Sequence, residues 1–242
     1  MTENDKRKKN DALVSFRLDF TEEQKKARKI CHENVITILT GKPGTSKTTI
    51  AASVALELLM RRAKPTSTDN RLHKNYNQIV ISRPTVLAGK EMGFIPGNLD
   101  DKMMPYISPV IEVMKELIGD EVINRFIENE KIKIVPIQFM RGRTFNESIV
   151  ILDEGQNANL KDFKLISSRL GRDSKLIATS DWRQIDLKNK NSSIYNLIEL
   201  LTTLDGIETF ELTENFRHEL AVKIMDTIDK YEEDMVVQSR MF

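Results

Sequence analysis

The stretch Val35-Ile36-Thr37-Ile38-Leu39-Thr40-Gly41-Lys42-Pro43-Gly44-Thr45-Ser46-Lys47-Thr48-Thr49-Ile50 decides the fold. Val35, Ile36, Ile38 and Leu39 form a short apolar run rich in β-branched residues, which reads as a buried strand. Ala51 to Leu59 reads as a helix, and a glycine-bearing turn joins the two. A strand, a turn carrying Gly41, Lys47 and Thr48, then a helix is the layout of a phosphate-binding loop. Loop N–H groups and the positive end of the helix face an anion. Lys47 can reach the outer phosphates of a nucleotide, and the Thr48 hydroxyl can ligate Mg²⁺. The candidate contacts are Gly41, Lys42, Pro43, Gly44, Thr45, Ser46, Lys47, Thr48 and Thr49. One position departs from the pattern G-x-x-x-x-G-K-[ST]: Ser46 stands where glycine is usual. A plain strand–turn–helix has the same outline, so the rest of the chain must decide.

The chain has 242 residues, 40% hydrophobic and 30% charged, with a net charge of +1. That suits one large domain or two small ones with a real core. No run of about 18 apolar residues is present, so no membrane span is expected, and the charged N-terminus does not read as a signal peptide. A single cysteine, Cys31, allows no intramolecular disulfide and fits a reducing compartment such as the cytoplasm. Cys31 is expected to be a buried helix residue. Three histidines and one cysteine make a zinc site improbable. With so little net charge, any nucleic-acid surface must be a local patch.

Residues 1–12 read as a charged, mobile arm, 13–235 as one domain and 236–242 as a tail. Alternation in 15–20 predicts a short strand or extended segment. Thr21 is placed as the N-cap of a helix running to about Asn34. Gln24 is either a residue of that capping turn or a glutamine placed to read adenine. Residues 79–82 and 132–136 read as strands, with helices over 107–118 and 120–129. Met140-Arg141-Gly142-Arg143-Thr144 reads as a turn. The second strong signal is Ile149-Val150-Ile151-Leu152-Asp153-Glu154: a buried strand with two carboxylates at its end, where α/β sheets bind ligands. Beside a phosphate loop this is the arrangement in which Asp153 holds Mg²⁺ and Glu154 acts as general base on water. A helix is expected over 159–170 with Gly171 as C-cap. A strand over 175–179 ends in Asp181 and Gln184, placed to sense a γ-phosphate or Mg²⁺. A helix over 191–204, a strand over 207–212 and a last helix follow.

These motifs together resemble the PhoH-like family, P-loop ATPases related to the superfamily 1 helicase core. The resemblance covers roughly residues 20–230. Its residues are Gly41–Thr48, Arg83-Pro84, Gly89, Gly93-Phe94-Ile95-Pro96-Gly97, Lys102, Pro105-Tyr106 and Arg141-Gly142-Arg143-Thr144. They continue through Ile151-Leu152-Asp153-Glu154-Gly155-Gln156-Asn157, Asp181, Gln184-Ile185-Asp186-Leu187 and Phe216-Arg217-His218. The Arg-Gly-Arg-Thr turn followed by Leu-Asp-Glu-x-Gln-Asn is the most specific part. Ser46 and Ser180 replace two glycines of the family pattern. The resemblance implies an α/β fold: a single RecA-like P-loop domain with a mostly parallel sheet flanked by helices. The short form resembles a phage or small bacterial version.

The resemblance also implies an ATPase that uses ATP and Mg²⁺, with Lys47, Glu154, Gln184 and Arg217 as its catalytic set. Arg217 matches a late arginine of the related helicases, with Arg143 and Arg141 as second choices. Helicases built as monomers draw such an arginine from a second motor domain. The chain is long enough for one, so the expectation is an arginine supplied by a neighbouring subunit in a homo-oligomeric ring such as a hexamer. Lys90, Lys102, Arg141 and Arg143, read as basic loop residues, would hold single-stranded nucleic acid, RNA favoured over DNA. Phe94, Tyr106 and Phe145 are aromatics that could stack on bases or belong to the core. The competing readings are an ATP-dependent oligomeric switch without helicase activity and a small-molecule kinase.

Overall fold

The computed structural model describes residues 16, 18–61, 75–84, 99–181 and 200–238, with side chains undescribed at 99–108, 232–234 and 236–238. The expected arm 1–12, Lys90, Phe94, Gln184 and most of the helix expected over 191–204 lie outside these residues. Among the described residues six strands form one parallel sheet: β1 (Ile36–Thr40), β2 (Gln78–Ser82), β3 (Ile132–Ile134), β4 (Ser148–Leu152), β5 (Lys175–Ser180) and β6 (Ile207–Glu211). Their order across the sheet is β3-β2-β4-β5-β1-β6. The strand that leads into the phosphate loop is thus separated by β5 from the strand that ends in Asp153-Glu154.

Among the described residues the α-helices with both ends described are α1 (Glu22–Glu33), α2 (Lys47–Met60), α3 (Leu99–Ile118), α4 (Asp120–Glu128), α5 (Leu160–Ser167) and α6 (Glu219–Gln238). Strand residues alternate between two cores. Leu39, Ile79, Ile81, Ile149, Ile151 and Ile177 face a cluster built with α1, α2, α3 and α4. Ile38, Val80, Val150, Leu152, Leu176 and Ala178 face a second cluster with Phe163 and Ile166 of α5. Both faces are covered, so the strands read as unbroken apolar runs. Every residue of α2 from Ile50 to Leu56 is buried, as a helix enclosed on all sides must be.

Thr21 and Gln24 form a capping box on α1. The Thr21 hydroxyl accepts from Gln24 N–H at 3.3 Å, and Gln24 Oε1 accepts from Thr21 N–H at 3.0 Å. At its other end α1 is closed by Lys175, buried in β5. The Lys175 ammonium donates to the carbonyls of Cys31, His32 and Asn34, a cation where the helix dipole is negative. Cys31 is buried, and burial pushes its thiol up to about 12, as expected of a packing residue.

Three expectations change, and for 15–20, expected to be a short strand or an extended segment, no strand forms among the described residues. Phe16 and Phe20 instead meet edge to face at 5.8 Å and flank the Arg28 guanidinium at 5.1 and 4.2 Å, so the aromatic spacing served a cation–π cluster. Helix α3 starts at Leu99, not 107, and runs through Pro105 and Pro109, two residues that ordinarily mark helix starts or breaks. Lys102 therefore lies in a helix and not in a loop. Helix α5 stops at Ser167 because Leu170 bridges to Phe145 and Gly171 N–H donates to the Phe145 carbonyl, so Gly171 caps nothing. Helix α6 reaches Gln238, three residues into the expected tail.

Candidate functional site

The carboxyl ends of β1, β4 and β5 open on a cavity of about 310 Å³, lined by Pro43, Gly44, Thr45, Ser46, Lys47, Thr48, Thr49, Glu154, Gln156, Thr179, Ser180, Asp181 and Arg217. The loop is closed on itself. Thr45 Oγ1 donates to the Lys42 carbonyl at 2.9 Å, and Lys47 Nζ donates to the carbonyls of Gly41 at 2.6 Å and Lys42 at 2.9 Å. Burial pushes the Lys47 ammonium below its ordinary value. Asp181, Glu154 and Asp153 pull it back, and Arg217 pushes it further down. An ammonium held by two carbonyls among three carboxylates can turn to an incoming phosphate.

Ser46 is the N-cap of α2 at φ 64°, ψ 22°, and its side chain makes no capping hydrogen bond. This left-handed conformation costs an L-residue about 1–2 kcal/mol, while glycine there loses about 0.5–1 kcal/mol of backbone freedom. Ser46→Gly is therefore expected to gain up to about 1 kcal/mol, a rise in Tm of about 2–4 °C in a chain of this size, with nucleotide affinity kept. A lower Tm by calorimetry, or lost binding, would refute this reading of Ser46.

Asp153, only 3% exposed, is the hub of the floor. Its Oδ1 accepts from Thr48 Oγ1 at 3.0 Å and from Thr179 Oγ1 at 2.8 Å. Thr48 and Asp153, expected to share a metal, are thus in direct contact. The donor set, one hydroxyl and one carboxylate with open cavity beside them, suits a hard cation that keeps several waters, as Mg²⁺ does. Glu154 sits in the left-handed region at φ 54°, ψ 44°, an uncommon backbone for a side chain and one that clusters at functional sites.

Three residues of this floor had no assigned role in the sequence. Arg83, at the end of β2, lies 4.0 Å from Asp153 and 3.5 Å from Glu154. The Gln156 amide donates to the Glu154 carboxylate, and its Oε1 accepts from Asp181 N–H at 3.1 Å and Ser180 Oγ at 3.4 Å. Thr179 accepts from Glu154 N–H at 3.3 Å while donating to Asp153. Arg83 and Gln156 stood in motif positions; Thr179 was an ordinary strand residue.

The fourth wall comes from the far end of the chain. Segment 212–217 lies along the loop: Leu212 N–H donates to the Thr40 carbonyl at 2.8 Å and Phe216 N–H to the Gly44 carbonyl at 3.0 Å. Asn215 Nδ2 donates to the Pro43 carbonyl at 2.9 Å. Both loop glycines are required by it. A Cβ on Gly41 (φ 140°) would stand 2.3 Å from Leu212 O, and one on Gly44 (φ 90°) 2.7 Å from Arg217 Cγ. Arg217 thus packs on the phosphate loop of its own chain. Arg217, expected to act on a neighbouring subunit, thus also lies beside the cavity of its own chain. Arg143 lies elsewhere. Its carbonyl accepts from Arg169 at 3.3 Å, and Phe145 N–H donates to the Arg169 carbonyl, at the amino ends of β4 and β5, opposite the cavity. Phe145 is core. Gln24 is 97% buried away, at 3% exposure, and engaged in its capping box. Lys42 extends outward to Asp226 of α6.

A family model described as PhoH-like protein matches residues 19–229. The "PhoH-like protein" of Bacillus subtilis is 37% identical over 193 residues, which are 78% of this chain and 57% of that protein. That of Mycobacterium tuberculosis is 34% identical over 203 residues, 83% of this chain and 54% of that protein. The chain spans about half the length of these curated relatives. Among solved structures, the Hef helicase domain of Pyrococcus furiosus covers 78% of this chain at 15% identity, TM-score 0.46, over 37% of its own length. The Pif1 helicase of Candida albicans covers 89% at 18% identity, TM-score 0.43, over 44% of its own length. A P-loop cavity on a parallel α/β sheet and a family match over most of the chain lead to one conclusion: this chain belongs to the PhoH-like protein family.

Proposed function

We propose that the chain is a Mg²⁺-dependent ATPase whose hydrolysis is coupled to single-stranded nucleic acid, RNA in preference to DNA. The observation that carries this reading is that four separate stretches of sequence converge on one cavity: the loop 43–49, Glu154 with Gln156, Thr179–Asp181, and Arg217. Loop N–H groups and the start of α2 bind the phosphates. Lys47 turns from its two carbonyls to the outer phosphate oxygens. Thr48 and Asp153 would hold Mg²⁺, which when bound neutralises charge on the β- and γ-phosphates. Thr179 fixes the Asp153 carboxylate. Glu154 takes a proton from the attacking water, and Gln156 with Arg83 holds its carboxylate in place. Arg217 meets the γ-phosphate from the same chain. Gln24 Oε1 is committed to the helix cap, so any contact with adenine falls to its Nε2. Gln184 keeps its assignment as a γ-phosphate sensor.

For nucleic acid, Arg141 and Arg143 are exposed on their turn, and Phe139 beside them is 48% exposed, a cation-plus-aromatic surface suited to single strands. Lys102 and Lys90 complete the proposed set. A second reading, the ATP-dependent oligomeric switch, is favoured by α6. Leu220, Ile224, Ile228, Tyr231 and Met235 are each half or more exposed along it, and Asp226 ties the same helix to loop residue Lys42.

One assay separates the readings: ATP hydrolysis with and without single-stranded RNA or DNA, beside a solution mass with and without nucleotide. The coupled ATPase predicts stimulation by RNA that fades with salt, and loss of about 10²–10⁴ in rate for Glu154→Gln with ATP still bound. Unstimulated hydrolysis with an ATP-dependent mass increase favours the switch. No hydrolysis under any condition overturns the ATPase, and no change of mass with nucleotide overturns the switch.

A further inference from the structure

Segment 212–217 has a gap in its backbone pairing. Leu212 N–H is taken by Thr40 of β1, and Phe216 N–H by Gly44 of the loop. Thr213 and Glu214 lie between, beyond the ends of both β1 and β6. Their donors go instead to one carboxylate on α1. Glu23 Oε1 accepts from Thr213 N–H at 3.0 Å and from its hydroxyl at 2.7 Å, and Glu23 Oε2 accepts from Glu214 N–H at 3.0 Å. Thr21 Oγ1, the N-cap hydroxyl of the same helix, donates to the Glu214 carboxylate at 2.5 Å. Next along the segment, the Asn215 side-chain oxygen Oδ1 accepts from Arg217 N–H at 2.9 Å.

We infer that Glu23 is a positioning residue for Arg217: it clamps the segment that carries the arginine and so links the start of α1 to the phosphate cavity. The inference rests on the proposed ATPase and adds a residue that neither motif nor periodicity singles out. The clamp is two-pronged and charge-assisted, the stronger form of hydrogen bond. Burial raises the Glu23 carboxyl, but the Thr213 hydroxyl and the N–H groups of Glu214 and Thr213 together outweigh it and hold the group below its ordinary value, so the fold prefers the charged form that accepts all three. Gln24 follows Glu23 on the same turn. Movement of that turn therefore reaches Gln24 and Arg217 together.

The alternative is that Glu23 serves only helix stability, as an acidic residue in a first turn. The two roles differ in what they move. For Glu23→Ala, misplacing Arg217 by about 1 Å lowers kcat by about 10²-fold, while KM and the affinity for an ATP analogue stay close to those of the wild type. Tm falls in either role, because a carboxyl held below its ordinary value stabilises the fold at neutral pH, so the loss of kcat is what separates them. Glu23→Gln, which keeps one acceptor oxygen, recovers part of kcat. In an Arg217→Ala background, single-turnover rates show no further loss from Glu23→Ala, because the group being positioned is gone. A wild type that hydrolyses ATP beside a Glu23→Ala variant with kcat unchanged, or with losses that add to those of Arg217→Ala, overturns the inference alone. A wild type without hydrolysis overturns the proposed function and the inference with it.

Discussion

Arg217→Ala is expected to lower kcat for ATP hydrolysis by about 10³-fold or more, the range known for arginines at a γ-phosphate, with ATP still bound. Arg217 lines the cavity together with Lys47 and Glu154. Its Cγ and Cδ lie 2.7 and 2.9 Å from where a Cβ on Gly44 would stand. Its Nη1 is 3.5 Å from Met225 Sδ of α6, a weak contact that a phosphate can replace. In the proposed site the loop would bind the substrate phosphates through N–H groups that do not depend on Arg217, so binding should survive while the developing charge loses its cation. Arg217→Lys is expected to recover little, because a point charge does not reproduce the planar fork. If Arg217 acts on the cavity of its own chain, which it lines, the wild-type monomer is competent for hydrolysis; if it acts on a neighbour, hydrolysis requires an oligomer. Turnover within tenfold of wild type for Arg217→Ala would remove the assignment.

Lys47→Ala is the second large effect, a fall in kcat of at least about 10²–10³, as for removal of one preorganised donor from a site of developing charge. Unlike Arg217→Ala it should also weaken nucleotide binding, because Lys47 meets the ground-state phosphates. Its effect on the unliganded fold has the opposite sign. A lysine whose folded pKa lies below its free value binds its proton more weakly in the fold than in the unfolded chain. Keeping it charged at neutral pH therefore costs stability, and Lys47→Ala should leave Tm unchanged or raised without nucleotide. ATP, which stabilises the wild type by binding its folded form, should no longer raise Tm in the variant. Thermal shifts with and without Mg²⁺-ATP check both halves, and unimpaired hydrolysis by Lys47→Ala would overturn the central assignment.

What could be read from the sequence depended on how local each device is. The loop 41–48 and the strand 149–152 with its two carboxylates are contiguous, so their chemistry is visible as spelling. Strands of a parallel sheet buried on both faces announce themselves as apolar runs, and these were found within a residue or two. The apolar spacing Val110, Val113, Met114, Leu117 marked only the later part of α3, which begins at Leu99 and carries Pro105 and Pro109 inside it, because a helix can give up single N–H bonds when the rest of it is held. Arg83, Thr179 and Glu23 act across chain separations of up to about two hundred residues, through hydrogen bonds that ordinary residue types make once the fold brings them together. The packing of Arg217 on the phosphate loop of its own chain was hidden for the same reason. Its position in the chain is late, but its position in space is set by β6, which lies beside β1.

That pairing has a consequence for synthesis. Strand β1 is hydrogen-bonded on one side to β5 and on the other to β6, and neither is made until most of the chain has been translated. As the chain leaves the ribosome, β2, β3 and β4 can pair with one another, but the strand bearing the phosphate loop has no neighbour before residue 175. Such long-range pairings are slow to form. Nucleotide binding should therefore be the last property the nascent chain acquires, and fragments ending before Lys175 should lack it even when the β2–β4 part has folded.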